Sequence, residues 1–400
     1  MKPLSKLAGS FLTAALLASC GGTGNALSPS TPASNAVPRS QVQGGASRPQ
    51  DAGREFVYVA NQGSNNISAY VVNLARKGRG ELTPVAGSPF AAGTLPCGVA
   101  VDPTGRFVYV ANQDYPTGYG TIFAYAVNSI SGALRELPGS PYAESDGPYL
   151  PATDPTGKFA YVTNVYSNNI SGYRINDRGA LKQLTGSPFA TSGQPKGIAV
   201  SPAGRWVYVA NTESNNVSAY AINASTGNLT EVAGSPYSAG TTPANLAVSV
   251  GPRGTRKYVY VTNSNSHDIS GYKVNVHTGG LTPVAGSPFQ LKGSPTGVTV
   301  DPTGKFAYVV VGNRNEVDAY TINTTSGALT QVAGSPFSAG TDPSQIAIDP
   351  NGNLAYVTNS GSDTVSAYTI NTTSGSLTQV SGSPYGTGTS PHGIVVASPL

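Results

Sequence analysis

Charge is what this 400-residue sequence has least of. Asp, Glu, Lys and Arg make up 10% of it, against about a quarter in ordinary soluble domains. The formal net charge is +4, two units of which come from Lys2 and Lys6 at the start. The rest of the chain has no extended basic patch, only the short groups Arg76-Lys77-Gly78-Arg79 and Arg253 to Lys257, so nucleic acid is not an expected partner. Histidine is scarce as well. His267, His277 and His392 lie far apart, without a His-x-x-x-His spacing, and the two cysteines form no Cys-x-x-Cys. Zinc and covalent haem are therefore not expected. Neither a phosphate-cradling Gly-x-x-x-x-Gly-Lys-Ser/Thr loop nor a calcium loop is present. No metal and no cofactor is predicted.

Long apolar runs are missing too. The longest, Leu7 to Leu17, is too short to span a bilayer as a helix, which takes about 20 residues. It follows Lys2 and Lys6 and ends in Leu17-Ala18-Ser19-Cys20. Residues 1–20 thus read as an export signal that resembles a bacterial lipobox, with Cys20 as the acylated residue. Residues 21–53 are mostly Gly, Ser, Pro, Asn and Ala, the composition of a flexible tether with a reach on the order of 30 Å. Gly21 after the cysteine favours the outer membrane or cell surface over inner-membrane retention. The expected setting is the cell envelope, with the membrane held through Cys20.

What the sequence does have is Gly (49), Pro (31) and Tyr (22), and from residue 54 they recur in register. Tyr-Val-x-Asn ends a strand-like run at Tyr58, Tyr109, Tyr161, Tyr208, Tyr260 and Tyr356, and Tyr308 begins a degenerate copy. Gly-Ser-Pro-Phe/Tyr occurs seven times, from Gly87 to Gly382. Each repeat holds four short runs rich in Val, Ile, Tyr and Thr, separated by turn residues. In one copy the fourth run is Leu329 to Ala333. A period near 50 with four strands per repeat predicts an all-β, seven-bladed β-propeller of four-stranded antiparallel blades over residues 54–400. The first repeat starts at its second strand, and the chain ends on a first strand, Pro391 to Val396. That last strand is expected to complete the first blade and close the ring.

Tyr-Val-Thr-Asn followed by Asn-Ile-Ser-Gly-Tyr, as at Tyr161 to Tyr173, resembles the YVTN-repeat propellers of the lactonase-like, 6-phosphogluconolactonase-related family. The resemblance covers about residues 56–400 and implies the fold more strongly than the activity. Relatives that hydrolyse lactones tend to carry a Pro-His-x-His-like segment, whereas this chain has Pro391-His392-Gly393-Ile394. The reading is an exported module that binds a small polar ligand or an envelope protein. The alternative is a lactone hydrolase.

Comparing the repeats with one another separates scaffold from candidate site. Asp-Pro-Thr/Asn-Gly recurs at Asp102, Asp154, Asp301 and Asp349 and is turn chemistry. The strand-end Asn is expected to bond loop backbone. The position just before the first strand is instead diverse: Cys97, Tyr149, Lys196, Ala244, Thr296, Ser344 and His392. It should ring the channel mouth. Cys97 and His392 stand at equivalent places in adjacent blades, which raises a Cys–His dyad, with a small buried cysteine as the alternative. Arg314 replaces a recurring Ser, and blade 2 carries four extra residues around Asp114, Tyr115 and Tyr119. Glu144 and Asp146 follow in the next loop. Asp114, Tyr115, Tyr119, Glu144, Asp146 and Tyr149 are expected to gather over blades 2 and 3 around a polyol-like ligand; solvated, elongated loops are the alternative. For a hydrolase, the candidate bases are His392, Asp114 and Glu144, and Lys196 or Arg314 would stabilise the oxyanion.

Overall fold

In the computed structural model each marker tyrosine sits in the second strand of its own four-strand sheet. The structure describes residues 53–114, 119–144, 146–250 and 256–399. Cys20, the leader, residues 21–52 of the tether and Tyr115 lie outside the described residues. Seven antiparallel sheets stand as seven blades, and the last strand, Pro391–Ala397, pairs with Phe56–Asn61 of the first. The expected closure is therefore present. Among the described residues the only helical piece is one 3-10 turn, Gly312–Arg314.

One detail differs from the sequence reading. The fourth strand of each blade is two short pieces, such as Leu329–Gln331 and Phe337–Ser338, which pair with opposite ends of the third strand, Glu316–Ile322. The Gly-Ser-Pro turn separates them, with its Ser–Pro bond cis. The serine hydroxyl accepts the third strand's free N–H, as Ser335 does from Ala319 (2.9 Å). Edges this short and interrupted offer little to an added strand.

The recurring residues build the joints. Each marker tyrosine reaches into the next blade: Tyr58 donates to the Gly132 carbonyl (2.8 Å), and Tyr356 closes the circle on Gly80 (3.3 Å). Gly132 is required there, since its φ is +77° and a Cβ would lie 2.3 Å from the Phe56 ring. The Asp of the turn accepts the N–H that starts the second strand, as in Asp102 from Phe107 (2.7 Å). The strand-end Asn corrects expectation in most blades. Asn61 Nδ2 donates to Asn66 and Ser68 side chains within its own blade, and Asn112 to the strand carbonyls of Val110 and Thr121, whereas Asn359 makes the expected loop bond, its Oδ1 accepting from the Gly340 N–H (3.0 Å). Apolar residues of neighbouring blades then pack face to face, as Phe159, Tyr161 and Ile170 do with Ile198, Val207 and Val209.

Candidate functional site

The innermost strand of every blade is irregular at one shared place, and that of blade 5 slips again between Val248 and Val250. At the shared place the pairing with the second strand slips in register just after the leading Pro, as between Pro96 and Gly98 or between Pro148 and Pro151. A bulge re-aims the side chain it carries, and the bulged positions are the diverse ring read from the sequence. The strands converge closely there. A Cβ on Gly98 would lie 2.3 Å from the Tyr149 carbonyl oxygen, so only glycine lets blades 2 and 3 meet at the axis.

Tyr149, Lys196, Ala244, Thr296, Ser344 and His392 line a cavity of about 280 Å³ at this mouth. Asp342, Gln345 and Ser360 also line it. Asn245 donates to Gln345 Oε1 (2.8 Å), which links the inner strands of blades 5 and 7 past Gly297. Two ring hydroxyls are engaged within the protein. The Ser344 hydroxyl bonds Thr358 (2.8 Å), and the Thr296 hydroxyl donates to the Pro343 carbonyl (3.1 Å).

His392 is held at both ring nitrogens. Nδ1 lies 2.9 Å from the Cys97 carbonyl oxygen, and Nε2 lies 3.1 Å from the Tyr149 hydroxyl. A carbonyl only accepts, so Nδ1 carries the proton and Nε2 accepts from Tyr149. Burial holds the imidazole pKa below its usual 6.5; the Cys97 carbonyl opposes this and the Lys196 charge adds to it. Burial also pulls the Lys196 ammonium down and raises the Tyr149 phenol well above 10. Lys196 Nζ stands 5.9 Å from the Tyr149 ring centroid, within range of a cation–π attraction. The mouth thus places a neutral oriented imidazole, a phenol and a cation in one small space.

The family is a matter of direct comparison. The family described as lactonase, 7-bladed beta-propeller, matches residues 38–150, 151–244 and 255–390. The chain belongs to this family. Among solved structures, it is similar to the periplasmic gluconolactonase of Pseudomonas aeruginosa, at 18% identity and a TM-score of 0.72, over 87% of this chain and 100% of that one. A Bacteroides fragilis protein, provisionally described as a 6-phosphogluconolactonase, matches at 18% identity and 0.72 over 87% and 99%. A Lactobacillus plantarum protein matches at 18% and 0.70 over 86% and 99%. At such identities the likeness carries the fold and not the chemistry. No curated protein matches the sequence.

Within this lactonase-family propeller the remaining candidates are dispersed. Cys97 is 0% exposed, and burial pushes its thiol up to about 12. Gln62 donates to its Sγ (3.1 Å), and His392 meets the Cys97 carbonyl instead of the thiol. This is no nucleophilic dyad. Glu144 is a wall residue: 8% exposed, it accepts from the Ser171 and Tyr173 hydroxyls and from Asn164 Nδ2 (3.3 Å). In five other blades the residue equivalent to Tyr173 bonds a backbone carbonyl of the preceding blade, as Tyr220 does with Ala190 (2.8 Å), and in blade 6 Tyr320 donates to Asp318 (3.2 Å); in blade 3 the Glu144 carboxylate takes over this joint. The Asp146 carbonyl accepts from the backbone N–H of Tyr166 and Ser167 (both 3.3 Å). Arg314 pairs with Glu316 (2.6 Å). Asp114 lies half-buried on the blade 2 loop with φ +48°, and Tyr119 is 77% exposed. None of Asp114, Tyr119, Glu144, Asp146, Arg314 or Cys97 lines the mouth cavity.

Asp342 is the functional candidate that sequence reasoning missed. It lies at the cavity lip with φ +49°, and its carboxylate accepts from Ser360 Oγ (2.9 Å). The signal existed in the repeats. The residue before the inner-strand Pro is Leu95, Gly147, Gln194, Thr242, Ser294, Asp342 and Ser390, and only one of these is charged.

Proposed function

We propose that this propeller hydrolyses a small unphosphorylated lactone at its mouth. The observation that carries this reading is Tyr149 bridged to a neutral His392 beside Lys196. Water at the mouth gives its proton to the Tyr149 oxygen while the phenol passes its own proton to His392 Nε2. The transfer is concerted, because burial disfavours a free phenolate. The hydroxide adds to the lactone carbonyl, and the oxyanion forms toward Lys196. Collapse breaks the ring C–O bond. The leaving alkoxide recovers the proton through the same relay, and a hydroxy acid departs.

Family membership supports the reaction class, and a relative in fold is a periplasmic gluconolactonase. Charge supports the unphosphorylated substrate. Asp114, Asp146, Glu213, Asp342 and Asp363 are exposed or half-exposed on mouth-side loops; Lys196 and Lys292 oppose them, and Glu316 offsets the charge of Arg314. A field of that sign disfavours a phosphate dianion. The cavity also lies near the lower end of ligand-pocket sizes, about 300 Å³, which suits a single ring. The setting in this reading is the cell envelope, with Cys20 acylated and residues 21–53 as the tether.

A lactone panel followed by pH-stat tests the proposal. Glucono-δ-lactone is expected to open faster than in buffer, with kcat/KM about 100-fold lower in Tyr149→Phe and His392→Ala. A second reading, a binding module for a sugar acid or an envelope protein, draws on the engagement of both His392 nitrogens. Saturable gluconate binding without turnover of any lactone selects it.

A further inference from the structure

The outer wall of the ring repeats closely from blade to blade, and its charged departures sit together: the blade 1 turn with exposed Arg76, Lys77 and Arg79, and the outer pieces of blades 2 and 3. The middle residue of the first outer piece is Thr in five blades: Thr83, Thr230, Thr282, Thr330 and Thr378. In blades 2 and 3 it is Arg135 and Lys182. Blades next to each other therefore carry the two exceptions, and both are exposed cations.

Two grooves open beside them. One, of about 500 Å³, is lined by Arg135 and Arg178 over Phe107, Leu137 and Pro138. The other, of about 290 Å³, is lined by Arg174 and Lys182. Exposed Glu136 and Asp177 offset part of this charge; the four cations outnumber them.

The same rim carries an apolar tip. Ile130 is 70% exposed, where the matching turn positions of other blades hold Ser225, His277, Thr325 and Thr373. Nothing in the turn needs an isoleucine, because the Asn128 side chain caps it by accepting from the Ile130 N–H (3.0 Å). The chain also enters the propeller here. Arg54, at the start of the described propeller, donates to the Ile130 carbonyl.

We propose that this rim is a docking surface for an anionic lipid bilayer. Ile130 enters the headgroup layer, and Arg135, Arg174, Arg178 and Lys182 meet lipid phosphates. Charge complementarity selects the occupant, and the described propeller begins on the same rim, where Arg54 meets Ile130. The inference takes its setting from the proposed Cys20 anchor and is independent of lactone hydrolysis. Cations near an anionic leaflet are drawn to its negative surface potential, and an exposed apolar residue among them adds insertion. Such docking turns the propeller onto its side, with the mouth open to solvent.

The test uses residues 20–400 with Cys20→Ser, which carries no acyl group, and vesicles of phosphatidylcholine with or without phosphatidylglycerol. Co-sedimentation is expected only with phosphatidylglycerol, and 0.5 M NaCl should abolish it. Arg135→Glu/Arg178→Glu is expected to weaken binding at least tenfold and Ile130→Ser about threefold. Lys305→Glu, an exposed cation of blade 6, should change it less than twofold. Circular dichroism confirms that each variant is folded. Equal binding to both vesicle types, or equal losses in the rim and Lys305 variants, overturns the proposal. No binding to either vesicle overturns it as well and leaves the rim to an acidic protein. If vesicle binding holds while Cys20 takes up no lipid, the docking surface stands and the anchor falls.

Discussion

Glu55 gives a quantitative test of how the ring is sealed. It precedes the first strand and sits where other blades carry Arg106, Lys158, Arg205 and Lys305. Its side chain is 1% exposed; Oε1 accepts from Asn351 Nδ2 (3.0 Å) across the seam between blades 1 and 7. Asn351 replaces the Thr that caps the turn Asp elsewhere, as Thr104 does for Asp102. Asp349 Oδ2 and Glu55 Oε2 are consequently both buried without a hydrogen-bond partner. Burial first, and then the charge of Asp349, pushes Glu55 from 4.5 up to about 7. The Asn351 bond and Arg79 oppose that rise. Folded protein therefore holds this proton over a range where the unfolded chain has lost it. Stability contributed by the protonated carboxyl is complete below pH 4.5 and is lost as pH rises to about 7. The full loss is at most about 3 kcal/mol.

Glu55→Gln keeps the acceptor for Asn351 and offers Asp349 a donor. It is expected to gain up to about 3 kcal/mol over the parent at pH 8 and much less at pH 4.5. Guanidinium unfolding at several pH values, with m unchanged, measures the difference. Only the difference between the two proteins is diagnostic, because Asp318, also raised by burial, titrates in both. A pH-independent difference, or a Gln variant less stable than the parent at pH 8, refutes the argument.

The acid limb of kcat/KM for lactone opening should fall below pH 6.5, because the lowered His392 must be neutral to accept a proton; a limb above 7 rules out this imidazole. Cys97 should resist iodoacetamide at pH 8 in the folded protein and react after denaturation; labelling in the native state contradicts its burial. Gly98→Ala should destabilise by about 1–3 kcal/mol, read from its unfolding midpoint, because the new Cβ meets the Tyr149 carbonyl oxygen. In the native host, wild-type protein should incorporate palmitate and Cys20→Ser should not; equal labelling places the lipid elsewhere.

The fold was legible because a propeller states its rules seven times. Tyr58 and its six counterparts bolt each blade to the next, so the motif and the joint are one thing, and spacing alone yields blade number and closure. The mouth ring was legible by the converse, since variation at Cys97, Tyr149, Lys196 and His392 stands out against repetition. The break of the fourth strand was hidden, because Gly-Ser-Pro reads as a turn without saying that the same strand resumes beyond it.

Sequence by itself determined the repeat, the ring closure and the list of irregular residues. Tertiary structure alone decided which irregular residues meet. Glu144 and Asp146 are two apart in sequence, yet one carboxylate is buried in the wall and the other residue anchors a turn. Tyr149 and His392, 243 residues apart, share a hydrogen bond. Closing a ring brings the first and last strands to one axis, and bulges set which side chains enter it. A one-dimensional pattern specifies the blades but not the distances across the space they enclose.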